Sequence, residues 1–494
     1  MTYYQFGVRL LFNIWINKQD DDFENNGNLA ENVLLFNLFD KNNKSNVKTD
    51  AEQLWRRFGY QSLSDITEDL LVIAISIFCA DKRIPRKKSS DNWTRNIKLY
   101  LPVLEMEKWI SVKSDLEKTL GFLSGDNWIF EFRKSTSKFR ANKKNTKYKL
   151  IDSENFDSVS LFSGGLDSFC GALTLSDNQK NTCFVGFREY NLLTNRQYEL
   201  FNEIDKAYPA LNKELILFNA NPLAPIQRGG EKARLGAEST SRSRSFLFLA
   251  GAIAIASIIG KETPVYIPEN GFIGINVPLT DSRNGSCSTR TTHPIFLKSL
   301  NHILQSVGLK HKISNFYWDK SKGEIVAEHK ANPVFKGNAY RTLSCSHPCL
   351  SRYDRKYDKS IEIPCNCGYC YPCLIRRASF LTTGKDSTIY NSVYKLNKEF
   401  LTKYSNLQGR ASDLKAVLFS LWRYYKHKDD REYIRTLLIR QGPLSTDEIE
   451  GYERLYHKSM SELLEMIRFE DSRNGGGLME YLGIKELLED AQLS

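Results

Sequence analysis

The six residues Ser163-Gly164-Gly165-Leu166-Asp167-Ser168 constrain the fold more than any other stretch of this 494-residue chain. They follow an apolar run at 159–162 that ends in Leu161 and Phe162, and they lead into 169–175, which reads as the start of a helix. A strand, a Gly-Gly turn and a helix opening make a phosphate site. The glycines let the backbone approach oxygen atoms, Ser163 and Ser168 offer hydroxyl donors, and the helix N-terminus favours negative charge. The P-loop pattern needs a lysine before its Ser/Thr, and none is present; the Gly-x-Gly-x-x-Gly fingerprint is also missing. The competing reading is an ordinary strand-turn-helix corner made of small residues.

From about residue 155 the chain alternates strands and helices. Strands are expected at 158–162, 181–187, 214–219 and 264–268, with helices at 195–208 and 243–259. Continuous apolar strands in such an order predict an α/β fold whose parallel sheet is covered on both faces. Ligands then sit at the carboxyl ends of the strands. The Ser163 turn, Arg188-Glu189-Tyr190, Asn219-Ala220-Asn221 and Glu269-Asn270-Gly271 are therefore expected on one rim. The polar segment 229–245 is either a mobile lid or a surface insertion. The loop 271–294 carries Asn276, Asp281, Arg283, Arg290 and His293. Asn276 and Arg290 are its substrate-reading candidates, whereas a lone histidine before proline carries little weight.

The length predicts two or three domains. Residues 1–150 read as an α+β unit, with strands at 3–16, 34–39, 96–103 and 127–132 and a helix at 65–80 capped by Ser64 or Asp65. Residues 151–394 are the alternating unit. Residues 395–494 are helical, with segments at 412–425, 430–441, 445–456 and 459–467. A net charge of +11 suits anionic partners, and the excess is concentrated at 82–88 and at 133–149, where eight of seventeen residues are basic and none acidic. Those clusters read either as a nucleic-acid or acidic-protein surface or as solvated loop and linker. The apolar run 246–260 falls short of the ~18 residues of a membrane span and reads as a buried helix. Residues 1–19 carry no signal-peptide pattern, so the expectation is a cytoplasmic protein without a membrane contact.

Six of the ten cysteines lie between 345 and 373, as Cys345-x3-Cys349 and Cys365-x-Cys367-x2-Cys370-x2-Cys373. In a cytosolic protein this density points to metal before disulfide. Zinc takes four soft ligands in a tetrahedron. Cys367, Cys370 and Cys373 supply three, and Cys345, Cys349 or Cys365 supplies the fourth. A redox pair or an iron–sulfur cluster on the same thiolates are the alternatives.

The S-G-G-x-D-S stretch is similar to the pyrophosphate loop of enzymes that split ATP between its α- and β-phosphates. With the element Cys367-Gly368-Tyr369-Cys370-Tyr371-Pro372-Cys373-Leu374-Ile375-Arg376 downstream, the chain resembles the 7-cyano-7-deazaguanine synthase (QueC) family over about 155–385. The resemblance implies the PP-loop type of α/β fold. It implies that ATP with Mg²⁺ is held by Leu161, Phe162, Ser163, Gly164, Gly165, Leu166, Asp167 and Ser168, and by Arg244, which leads a small-residue helix. Ser163, Asp167 and Ser168 would carry the catalysis. Thr342-Leu343-Ser344-Cys345 is similar to the family's first zinc-ligand context, which favours Cys345 as the fourth Zn²⁺ ligand. Ser288-Thr289-Arg290 is similar to its substrate loop, but Thr291-Thr292-His293-Pro294 stands where the family has Tyr-Pro-Asp. Family members are about half this length, so both flanking regions are additions. Long forms of this build resemble the QatC components of bacterial antiphage operons, which implies partner proteins of the same operon.

The resemblance implies an AMP- and pyrophosphate-forming ligase that adenylates a 7-deazaguanine carboxylate and passes it to an amine, either ammonia or a protein amine. Two other readings compete: a tRNA-modifying enzyme using the same ATP site and the basic clusters, and a non-catalytic nucleotide sensor in a defence complex.

Overall fold

Why the second half of the chain builds its strands is visible in their composition: Thr182–Phe187 is buried at all six positions, as a strand covered on both faces must be. The computed structural model describes residues 10–18, 33–39, 45–59, 61–139, 150–227, 230–238, 241–280, 290–404, 409–440, 442–481 and 483. Asp281, Arg283, Ser288 and Thr289, residues 3–9 of the first expected strand and 140–149 of the basic run lie outside them.

Strands β1 (Leu11–Asn17), β2 (Val33–Asn37), β3 (Val47–Thr49), β4 (Asn96–Val103) and β5 (Asn127–Lys134) belong to the first unit. Strands β6 (Ser158–Leu161), β7 (Thr182–Phe187), β8 (Lys213–Phe218), β9 (Ala220–Pro222), β10 (Ile226–Gln227), β11 (Val265–Tyr266) and β12 (Ile313–Ser314) follow. Helices of eight or more residues are numbered α1 (Asp65–Arg83), α2 (Lys113–Ser124), α3 (Leu166–Asp177), α4 (Asn191–Ala207), α5 (Arg244–Ile259), α6 (Pro294–Ser306), α7 (Lys322–His329), α8 (Tyr371–Leu381), α9 (Ser412–His427), α10 (Arg431–Ile439) and α11 (Thr446–Arg473).

The second sheet has the order β12-β11-β6-β7-β8, all parallel. The chain starts at the central β6, builds outward to β8, then returns to β11 on the other side. That reversal leaves a crevice between β6 and β11 at their carboxyl ends. The first sheet has the order β10-β2-β1-β4-β5, and β1, β2, β4 and β5 are parallel to one another. The first unit, expected as α+β, is therefore itself a parallel α/β sheet, because helices connect β3 to β4 and β4 to β5. It too reverses, between β1 and β4.

The two sheets interlock. β10 adds antiparallel to β2, and β3 pairs with β9. α1 packs on α5, and residues of both units enter one apolar core. Gly251 lets α5 lie close on its own sheet: a Cβ there would lie 2.8 Å from the Phe218 ring of β8. α1 starts where expected, with Ser64 accepting from the Thr67 amide. The two helices expected at 445–456 and 459–467 are one, α11, opened by a Ser445–Glu448 capping box. Nothing breaks it: Ser459 is buried mid-helix rather than capping a new one. Among the described residues no helix is long and apolar enough to cross a membrane.

Candidate functional site

The Ser163–Ser168 loop lies at the reversal point of the second sheet, between the end of β6 and the start of α3. Gly164 has φ +80°, a conformation that side chains disfavour. The loop is tied internally. Ser168 Oγ lies 3.1 Å from Ser163 Oγ and accepts from the Ser163 amide at 3.2 Å, while the Gly165 amide donates to Ser163 Oγ at 3.3 Å. Gln197 of α4 donates to the Phe162 carbonyl at 3.1 Å. Leu161 closes β6, and Phe162 and Leu166 point into the core.

Asp167 stands at the first turn of α3 and faces the crevice. Its Oδ2 accepts from Asn270 Nδ2 at 2.9 Å and pairs with Lys322 Nζ at 3.2 Å. Its Oδ1 is buried without a partner among the described residues. Glu269, just past β11, accepts from Thr292 Oγ1 at 2.5 Å. Burial pushes the Glu269 carboxyl up to about 7, with the Asp167 charge adding to the shift. The Ser163 turn and Glu269-Asn270 thus converge as expected. Asn219 does not join them: its amide donates to Asp50 at 2.7 Å and its carbonyl accepts from Thr49 at 2.6 Å. Arg188 also pairs with Asp50.

Lys322 escaped the sequence reading, although a signal was present. It is the first residue of α7 after the Ser321–Glu324 capping box, a position where the helix dipole disfavours a cation. It is almost fully buried. Glu462 of α11 fixes this helix start, accepting from Ser321 Oγ at 2.6 Å and from the Gly323 amide at 3.3 Å.

The sulfurs of Cys345, Cys367, Cys370 and Cys373 all lie within 4.8 Å of one another. Cys367 and Cys373 Sγ are 3.9 Å apart, as are Cys345 and Cys370 Sγ. Four sulfurs about 2.3 Å from a tetrahedral zinc are about 3.8 Å apart, so the cage fits the ion. Amides brace it: Cys367 N and His347 N donate to Cys345 Sγ at 3.3 and 3.2 Å, and Cys370 N donates to Cys367 Sγ at 3.3 Å. Hydrogen bonding with Cys345, Cys367 and Cys373 holds the Cys370 thiol well below the usual range. This cluster could hold a metal, and Cys345 is its fourth member. Cys349 and Cys365 stand outside it.

The cage is latched to the loop through residues 342–345. Leu343 N donates to the Gly164 carbonyl at 3.0 Å, and the Leu166 amide donates to Ser344 Oγ at 3.3 Å. Arg376 of α8, fully buried, holds the latch from behind: Nη1 donates to Thr342 Oγ1 at 2.7 Å and Nη2 to the Ala339 carbonyl at 2.7 Å. No carboxylate pairs with Arg376 among the described residues, so a cation remains behind the loop.

The other expected site residues have partners of their own. Arg244 opens α5 and forms an exposed pair with Glu189 at 3.0 Å. Ahead of it, Asp81 of α1 accepts from the Arg242 and Ser243 amides, both at 2.8 Å, so the first unit sets this helix start. Within 229–245, Lys82 and Asp81 bind Glu238 and Ser241, which ties the expected lid to α1. Asn276 ends the short helix Gly271–Ile275 in the left-handed conformation (φ 49°). Arg290 donates to the Phe122 carbonyl of α2 at 2.7 Å and lies over the Phe122 ring. His293 caps α6. Of the basic clusters, Arg86 is buried in a network with Asp126, and Lys138 pairs with Asp65.

Fold and site define a parallel α/β protein whose glycine-turn crevice is fastened to a four-cysteine cluster that could hold a metal. Among protein-family models none matches the chain, and no curated protein matches it significantly.

Proposed function

We propose that the chain is a PP-loop ATP-dependent C–N ligase acting on a 7-deazaguanine carboxylate. The observation that carries this reading is the juxtaposition at one crevice of the Ser163–Ser168 loop, the partnerless Asp167 Oδ1, Lys322 and the latched four-cysteine element. The acid comes from the sequence resemblance to the 7-cyano-7-deazaguanine synthase family.

The chemistry follows from a poor acyl donor. A carboxylate oxygen attacks the α-phosphorus of ATP, the bond to the bridging oxygen breaks, and pyrophosphate leaves. An amine then attacks the acyl carbon, AMP departs with the bonding pair, and the amine loses a proton to give the amide. Amides of the loop and the N-terminus of α3 stabilise the charge that develops on pyrophosphate, with Lys322 and the buried Arg376 adding fixed positive charge. Magnesium, when bound, neutralises phosphate charge, and Asp167 is the residue that would hold or orient it. Zinc on the four cysteines would be structural: Cys345 would be a ligand next to Leu343 and Ser344, the residues that bond the loop. With ammonia the product is the primary amide; with a protein amine it is a tagged partner, consistent with the QatC-like build.

The test is AMP release from ATP and 7-carboxy-7-deazaguanine with magnesium. Acid-dependent AMP that Asp167→Ala abolishes while zinc stays bound supports the ligase. Release only with tRNA gives the modifying enzyme instead, and no release with either leaves a nucleotide sensor.

A further inference from the structure

A short 3-10 helix, Leu350–Lys356, lies in the stretch between Cys345 and Cys367, and nothing in the ligase reading uses it. Its burial follows the three-residue period of that helix: Ser351 and Asp354 are buried, whereas Leu350, Arg352, Tyr353, Arg355, Lys356 and Tyr357 are exposed. The inward side is anchored. Asp354 accepts from Tyr394 Oη at 2.7 Å and Asn391 Nδ2 at 2.8 Å, and Arg410 stands 3.8 Å away. The outward side is left to solvent, with Tyr353 56% and Tyr357 69% exposed.

Charge on this strip is one-sided. Arg352, Arg355, Lys356 and Lys359 are cationic, and none has a carboxylate in ion-pair reach among the described residues. Of the two acids, Asp354 points inward and Asp358, which accepts from Ser360 Oγ at 2.6 Å and Ser392 Oγ at 2.5 Å, leaves one negative charge against four cations. Cations already lie over the rings, Arg352 at 4.7 Å from the Tyr353 centroid and Lys356 at 4.7 Å from Tyr357. The strip also adjoins the crevice side of the second sheet, because Cys349 at its start lies against Tyr190 just past β7.

We propose that this strip is a contact surface for single-stranded nucleic acid. Exposed rings interleaved with cations offer what a single strand presents: base faces for stacking and phosphates at close spacing. An acidic protein segment would use the cations but gain nothing from two solvent-facing tyrosines. A duplex hides its base faces. Anchoring through Asp354 holds the rings before binding and so reduces the ordering cost. The assignment is independent of the ligase reading.

The experiment uses the full-length, metal-replete protein and fluorescence anisotropy with three labelled probes: a 15-nucleotide oligouridylate, a duplex RNA of the same length and a 15-residue oligoglutamate. Oligouridylate should bind best. The double variant Tyr353→Ala/Tyr357→Ala should weaken it about tenfold or more. Arg352→Gln/Lys356→Gln should lower the slope of log affinity against log salt by about 1.4, two phosphates' worth for a single strand. Lys87→Gln/Lys88→Gln, on the other basic cluster, should change neither. Circular dichroism and zinc content of each variant report that the fold is intact. Failure of oligouridylate to bind, or an unchanged affinity in the two-tyrosine variant, overturns the proposal. Oligoglutamate binding as tightly, and indifferent to the tyrosines, also overturns it in favour of an acidic protein partner.

Discussion

At the end of β1, where the first sheet reverses, Asn17, Lys18 and Asp69 are all answered. Lys18 Nζ pairs with Glu68 and donates to the Ser137 carbonyl at 2.6 Å, and Asn17 donates to Asn37 at 2.9 Å. Asp69 accepts from the Leu104 and Glu105 amides at 2.7 and 2.9 Å. At the end of β6, where the second sheet reverses, Asp167 Oδ1 is unanswered; burial raises a carboxyl in both places, Asp69 to about 6 and Glu269 to about 7. Topology offers a crevice in both sheets. Residues 135–139 fill the first, and the second keeps groups with capacity to spare. The difference separates a crevice used for folding from one available for chemistry.

The two crevices should part most sharply when the cysteine cage is opened. A structural zinc contributes on the order of 10 kcal/mol, so a strong chelator, or Cys370→Ser, should abolish metal binding and release the latch. Hydrogen exchange should then speed at the Leu166 and Leu343 amides while Leu99 and Phe130 of the first sheet stay protected. Equal loss in both sheets would mean that the shared core couples them too tightly for separate roles.

At the closed crevice, Lys18→Met leaves Glu68 as a buried charge without its partner and should cost about 3–5 kcal/mol in denaturant unfolding. At the open one, Asp167→Asn removes a carboxylate that already lacks one partner. Because the buried Lys322 loses its carboxylate, stability should fall by roughly 3 kcal/mol, and acid-dependent AMP formation by the folded variant should fall about a hundredfold. Unchanged AMP formation by the folded variant would reduce Asp167 to a structural residue.

A last effect, seen only as a pH dependence, concerns His293. Burial, with Arg290 beside it, lowers its imidazole to about 3, well below the ordinary 6.5. The unfolded chain therefore binds the proton first, so folding stability should rise with pH between about 3 and about 6.5 and be flat above. The slope cannot exceed about 1.4 kcal/mol per pH unit. His293→Asn keeps an acceptor for the Ile295 amide and should flatten that part of the profile in urea titrations from pH 4 to 7.

Much of the second sheet was legible because its strands are short apolar runs between helices, and the loop and cysteine spacing announce their own chemistry. The parallel first sheet was not. Its β4–β5 connection contains α2, whose apolar face is only Leu116, Leu120 and Leu123, too sparse to stand out among its polar residues. Lys322 and Arg376 were invisible as site residues for another reason. Their roles depend on burial and on neighbours more than a hundred residues distant or on another element, as Lys322 to Asp167 and Arg376 to Thr342. Arg290 looked like a substrate reader because a polar loop says nothing about which surface its arginine will meet.

Glu462 gives the C-terminal region a meaning its sequence lacks. Because this carboxylate of α11 seats Ser321 and Gly323, the lysine that meets Asp167 is held by a segment 140 residues away. The C-terminal helices are thus not a detachable cassette. A chain shortened before residue 446 would keep every residue of the crevice and lose the keystone under one of them, so neither grafting nor truncation at the apparent boundary near 395 preserves the site.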